Sequence, residues 1–234
     1  MSSDLHLVPE HIKKLFRSSV LEELHGLSSF DVFELELFDW YVRETEAVLQ
    51  AMLAAEKQAV KEQYDAGGSS DEVNDSGIVA AEYYQKRVRF SHVIYLTSLL
   101  ETFLEGECAR LKAALGENNI PFGLKDLKGD QWSKRRKFLE RYGSFQISKQ
   151  LLPEVADLIA LRNNIVHTNG TVSELLPDVL KRLSQRPGIG LASLSVQVEA
   201  EYIAKALSAV KAYCNDISAK VSSAIKRLIE VEDK

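Results

Sequence analysis

The sequence predicts an all-α fold, a helical bundle of about four major helices with shorter helices between them. Apolar residues recur at three- and four-residue spacing along most of the chain. Strand-like alternation is confined to one short run, Leu194-Ser195-Val196-Gln197-Val198. Glycine and proline fall where helices should end and begin, and no repeat period appears, which favours a bundle over a solenoid. A single domain over residues 1–234 is expected, because none of the long helices could bury its apolar stripe alone.

Pro9 and the apolar series Ile12, Leu15, Phe16, Val20, Leu21 and Leu24 predict a first short helix, with Gly26 beyond its end. After Ser28-Ser29, the spacing of Phe33, Leu37, Trp40, Tyr41, Val48, Met52 and Ala55 predicts a long helix to about Tyr64 with an acidic outer face. These amino-terminal helices, residues 9–64, are expected to pack on the remainder. Residues 65–77, with Gly67-Gly68-Ser69-Ser70, lack periodicity and predict a flexible loop.

A second long helix should run from Ile78 to Leu115, with Val93, Leu96, Leu99, Leu100, Phe103, Leu104 and Leu111 inward and Gly116 as its stop. A short helix over Gln131–Tyr142 is expected to close at Gly143. Pro153 opens another, whose apolar face is Val155, Leu158, Ile159, Ile165 and Val166. Ser173 to Arg186 is a weak helical pattern, Pro187 to Gly190 a turn, and Leu194 to Val198 a short extended piece. The last helix, Glu199 to Ile229, shows a regular stripe of Ile203, Ala206, Leu207, Val210, Cys214, Ile217, Val221, Ile225 and Leu228.

Net charge is −5, unevenly spread: residues 1–80 hold 16 acidic and 6 basic side chains, and the rest hold 18 and 23. A locally basic half within an acidic chain can attract an anion without making the whole molecule adhere to nucleic acid. The longest nearly apolar run, Val93 to Leu100, is far shorter than the ~20 residues a bilayer span needs, so no membrane segment is expected. The start of the chain lacks the basic-then-apolar order of a secretory signal. Cys108 and Cys214, inside helical patterns, are expected to be reduced core thiols of a cytoplasmic protein.

Chemistry concentrates at Arg162-Asn163-Asn164-Ile165-Val166-His167, followed by Thr168-Asn169-Gly170. A permanent guanidinium and an imidazole that titrates near neutrality are a usable pair for attack on a phosphodiester. Spacing alone is poor support, since Arg87 and His92 repeat it. The second copy differs in its apolar approach, in the asparagine directly after the arginine and in the helix stop after the histidine. Residues four apart share a helical face, so Asn163 and His167 stack, whereas Arg162 lines up with Leu158, Ile159, Ile165 and Val166. A guanidinium on a core-facing stripe is costly unless it is paired or reaches an anion. Glu101, amid Leu99, Leu100, Phe103 and Leu104, is the candidate partner, in a purely structural pair or as a support for a catalytic arginine.

At these residues the chain resembles the HEPN superfamily, whose signature is Arg-Asn-x-x-x-His at a helix end, after an apolar run and before a polar turn with glycine. Tyr95 to Leu104 is similar to an earlier helix of several bacterial members, and the resemblance covers about residues 78–230. It implies a helical bundle that dimerises through the motif helix and, in many members, metal-independent cleavage of RNA. Carried across, His167 would be general acid or base, Arg162 the phosphate-stabilising cation and Asn163 the group orienting phosphate or histidine. The 2′-hydroxyl of RNA can attack its own phosphate given those groups and no metal. One histidine does not conveniently serve both ends of that reaction, so a two-fold interface with two copies of His167 becomes part of the expectation. The resemblance further implies phage defence or a toxin–antitoxin pairing, with an antitoxin or nucleotidyltransferase as partner. The competing class is a non-catalytic helical scaffold or a protein- or RNA-binding module in which Arg162 and His167 are structural.

Lys134-Arg135-Arg136-Lys137, between Trp132 and Phe138, is a candidate RNA grip through phosphate contacts and a stacking ring, and equally an exposed helix face with core aromatics. His6, His11 and His25 lack metal-site spacing, and the cysteines are too far apart for a zinc knuckle. No metal or cofactor is expected. No Walker loop, dinucleotide fingerprint or nucleophile elbow is present, which argues against conventional nucleotide and acyl-transfer enzymes.

Overall fold

The computed structural model describes residues 32–69, 74–116, 123–191 and 194–231. Among the described residues the fold is all-α, with six helices: α1 (Val32–Asp65), α2 (Ser76–Leu115), α3 (Gln131–Gly143), α4 (Leu152–Thr168), α5 (Pro177–Leu183) and α6 (Ala200–Val231). Two short strands, β1 (Ile189–Gly190) and β2 (Gln197–Val198), pair antiparallel with Ile189 opposite Val198. The expected Pro9 to Leu24 helix lies outside the described residues. The other helices lie within a few residues of their expected ends.

Local chemistry explains the boundaries. Asp130 caps α3 by accepting from the Ser133 amide at 2.7 Å. That helix closes at Ser144 in the left-handed region rather than at Gly143, which is buried inside it. Gly116 takes a positive φ at the end of α2, as its position predicts. The extended piece near Leu194 is present as β2 and an antiparallel bridge between Ser195 and Thr171.

The chain divides into two compact units, residues 100–149 with 212–231 and residues 32–99 with 150–211. In the first, the core is built by Leu100, Phe103, Leu104 and Leu111 of α2, Phe138 and Leu139 of α3, and Ile217, Val221 and Ile225 of α6. Cys108 and Cys214 are buried free thiols, as expected, and burial pushes the Cys108 thiol up to about 12. This core also encloses an ion pair, Arg110 with Glu107 at 2.8 Å, steadied by a bond from Arg110 to the Ser222 hydroxyl at 3.0 Å.

In the second unit the core comprises Leu35, Phe38 and Val42 of α1, Phe90, Val93 and Leu96 of α2, Leu158, Leu161 and Ile165 of α4, and Ile203, Leu207 and Val210 of α6. The inward residues expected on the long helices at 78–115 and 199–229 are therefore buried, apart from Leu228 at partial exposure. On α1 the expectation fails. The buried stripe is Leu35, Phe38, Val42, Glu46 and Leu49, whereas Phe33, Leu37, Trp40, Tyr41, Val48 and Met52 are exposed, Trp40 by 57%. Glu46 is tolerated inside because Arg89 grips it through two bonds, at 2.8 and 3.0 Å, and also reaches Glu199 at 2.6 Å.

Candidate active site

The motif occupies the last two turns of α4, and the chain after it is tied down by its own polar groups. Asn169 adopts the left-handed conformation and its amide donates to the Ile165 carbonyl at 3.0 Å. Asn164 is buried; its amide nitrogen donates to the Thr168 hydroxyl and to the Thr171 carbonyl, each at 2.9 Å. Thr168 in turn donates to the Asn164 carbonyl at 2.7 Å. The two adjacent asparagines thus divide their work: Asn164 fastens the turn, while Asn163 stays at the half-exposed margin.

Gly170 then takes φ +78, and a Cβ there would lie 2.7 Å from the Phe90 ring. Its carbonyl accepts from the Val196 amide at 2.7 Å, locking the turn against the extended segment. The helix end that carries the motif is fixed by hydrogen bonds and a close backbone approach.

Along α4 the buried residues are Val155, Asp157, Leu158, Leu161, Asn164 and Ile165. His167 is exposed, and Asn163 lies one turn back on the same side. Val166, expected in the core, is 45% exposed because it lies beside Asn163, on the arc between that residue and Arg162. Arg162 is half-buried at the margin of the buried stripe rather than within it. Its Nη1 donates to Asn163 Oδ1 at 3.1 Å, and its Nε is buried with no hydrogen-bond partner among the described residues.

The charge that does intrude on the stripe is Asp157, 0% exposed. It accepts from Arg182 Nε at 2.7 Å and from Arg186 Nε and Nη2 at 2.8 and 2.6 Å, and Arg186 also pairs with Glu154. These bonds clamp α5 and the turn after it onto the motif helix. Arg162 differs sharply from them, since among the described residues it has no carboxylate partner. Glu101 is half-buried and belongs to the other unit.

One side chain of the repeated spacing belongs to this site after all. Arg87 Nη1 donates to Asn169 Oδ1 at 2.5 Å, two residues beyond His167, and its guanidinium lies 4.9 Å from the centre of the Tyr83 ring. Next to it, Lys86 donates to the Ser195 hydroxyl at 2.5 Å. Sequence spacing carried no signal for this, because the contact joins residues 82 positions apart. His92 has a different fate. It is buried under Phe38 and Tyr41, with Nε2 3.3 Å from the Thr45 hydroxyl, and burial lowers its pKa below the ordinary histidine value.

The Lys134 to Lys137 run belongs to the first unit, and most of it is engaged there. Arg135 pairs with Glu105 at 2.9 Å, Arg136 stacks 5.2 Å from the Trp132 ring centre, and Lys137 donates to the Lys128 carbonyl at 2.8 Å. Phe138 is core. Among the described residues no three His, Cys, Asp or Glu side chains converge as a metal site requires, and no helix is long and apolar enough to cross a membrane. Comparison of the chain with protein-family models, curated proteins and solved structures returns no match.

Proposed function

We propose that the chain is a HEPN-type ribonuclease that cleaves RNA without a metal and acts as a homodimer in the cytoplasm. The observation that carries this reading is the end of α4: an exposed His167, Asn163 on the same outward face, and beside them a half-buried Arg162 whose guanidinium lacks a carboxylate partner among the described residues. A desolvated, unneutralised guanidinium is stabilised by an incoming anion, and an imidazole one turn further along the helix can move a proton at that anion. On RNA, His167 takes the proton of the 2′-hydroxyl or gives one to the departing 5′-oxygen, and Arg162 steadies the charge that builds on the phosphorus oxygens. Asn163 holds the guanidinium through its Oδ1 and leaves its NH2 for a phosphate oxygen.

Two proton transfers ask for two imidazoles, which a second copy supplies. The outward arc of α4, with Ile159 half-buried and Val166 exposed beside Asn163, is an apolar face suited to meeting its own symmetry mate. A role in phage defence or toxin–antitoxin pairing, with an antitoxin or nucleotidyltransferase partner, belongs to the same proposal and rests on the resemblance. The alternative, a helical scaffold or binding module, is favoured by one observation: the basic run expected to grip RNA is largely consumed by contacts inside its own unit. Incubating the purified protein with end-labelled RNA in excess EDTA tests the reading. Cleavage is expected, and its absence with or without added divalent metal removes the nuclease.

A further inference from the structure

Resting on the ribonuclease reading, the geometry points to Arg87 as a second phosphate-binding cation of the motif site, with Tyr83 as the platform for the base next to that phosphate. In this unit the buried arginine and the arginines of the Asp157 clamp are neutralised: Arg89 by Glu46 and Glu199, Arg182 and Arg186 by Asp157. Arg87 resembles Arg162 instead. It is half-buried, its Nε is buried without a hydrogen-bond partner among the described residues, and its polar bond is to a neutral asparagine oxygen, Asn169 Oδ1. Two such guanidinium groups at one helix end, each held by a side-chain amide and not by a carboxylate, make a site for an anion with more than one phosphate oxygen to offer. Asn169 is seven residues beyond Arg162, about 10 Å along a helical path and on the same side of it, so the two groups sit at one end of one helix face.

Tyr83 adds what a bare phosphate site would not need. The ring is 54% exposed, carries the Arg87 guanidinium, and lines a polar cleft of about 420 Å³ together with Lys86, Gln197, Glu82 and Glu199. That volume suits a nucleoside. Glu82 and Glu199 balance Lys86 and Arg89 in the lining, so the cleft offers a phosphate no net positive charge, which assigns the phosphate to Arg87 and the base to the ring. An aromatic stacked on an arginine is a sequence-tolerant seat for a nucleic-acid base.

Binding, read separately from cleavage, tests this. The probe is a fluorescein-labelled single-stranded oligoribonucleotide of mixed sequence, followed by anisotropy on the His167→Ala background across a salt series. Tyr83→Ala is expected to weaken binding about tenfold and Tyr83→Phe to leave it near the parent value. Arg87→Ala should weaken it about tenfold and lower the slope of log K against log salt by roughly 0.7, with Arg87→Lys in between. Circular dichroism melts identify any variant that has lost its fold, and Tyr83, on the surface, keeps the test valid if Arg87→Ala has. If the parent cuts RNA while Arg87→Ala and Tyr83→Ala bind as the background does, the inference falls and the nuclease stands. If the parent never cuts but binds with these losses, the inference stands and the nuclease falls. Absence of binding overturns the inference, and the nuclease then stands or falls on whether the parent cuts.

Discussion

Removing the Asp157 carboxylate should loosen the segment that follows the motif helix more than its one side chain suggests. Asp157 is fully buried and takes three charge-assisted bonds from two arginines. Asp157→Ala leaves both guanidinium groups without that acceptor, but they differ in how well water replaces it. The Arg182 side chain is 45% exposed and regains solvent, so its bond is worth under about 1 kcal/mol. Arg186 is 21% exposed, gives two of the three bonds and keeps Glu154. Its loss is about 2–3 kcal/mol, below the 3–5 kcal/mol typical of a fully buried pair broken on one side. The total is about 2–4 kcal/mol, a fall of roughly 6–12 °C in melting temperature for a chain of this length. Differential scanning calorimetry of Asp157→Ala beside Arg182→Ala and Arg186→Ala gives the ranking Asp157 ≥ Arg186 > Arg182. An Asp157→Ala melting point within a degree of the parent, or an Arg182→Ala loss as large as that of Asp157→Ala, would refute the reasoning.

Three further outcomes follow from the same geometry. Gly170→Ala should cost about 2–4 kcal/mol in urea unfolding, since the new Cβ meets both a left-handed backbone and the Phe90 ring at 2.7 Å; a loss below ~1 kcal/mol would mean that the turn repacks freely. His92 has a folded pKa lowered by burial, so it stays neutral in the fold while the unfolded chain takes up a proton as the pH falls below 6.5. Its contribution to stability is therefore present above that pH and lost below it, with a slope of at most about 1.4 kcal/mol per unit, and His92→Gln should flatten the acid side of a stability-versus-pH curve. Val166→Glu, on the outward arc of α4, should shift a dimer toward monomer in sedimentation equilibrium, and an unchanged mass would place the two-fold interface elsewhere.

What the sequence disclosed follows from where its signals were unopposed. On α2 and α6 a single uninterrupted stripe of aliphatics left one choice of inward face, and burial agrees with it nearly residue for residue. Helix α1 offered two apolar stripes. The more aromatic one is exposed, while the buried one contains Glu46, a charge that counts against burial until Arg89, 43 positions away, is brought to it. Asp157 escaped notice for the same reason, because its partners lie on α5 and the turn after it. The motif itself was legible as a helix end, with Asn163 and His167 on one face and a left-handed residue following. Arg87 shares the motif's spacing but lacks the asparagine after it and the helix stop, and its relevance appears only once the fold carries it to Asn169. Local patterns thus identified elements and the motif, and long-range charge pairing decided which faces and which cations belong together.

The central claim is that His167 moves a proton at a scissile phosphate. The direct measurement is the rate at which purified parent and His167→Ala proteins cut a labelled RNA in excess EDTA, with circular dichroism confirming that both are folded. The account predicts products ending in a 2′,3′-cyclic phosphate from the parent and a rate at least about 100-fold lower from the variant. An equal rate from His167→Ala would contradict it.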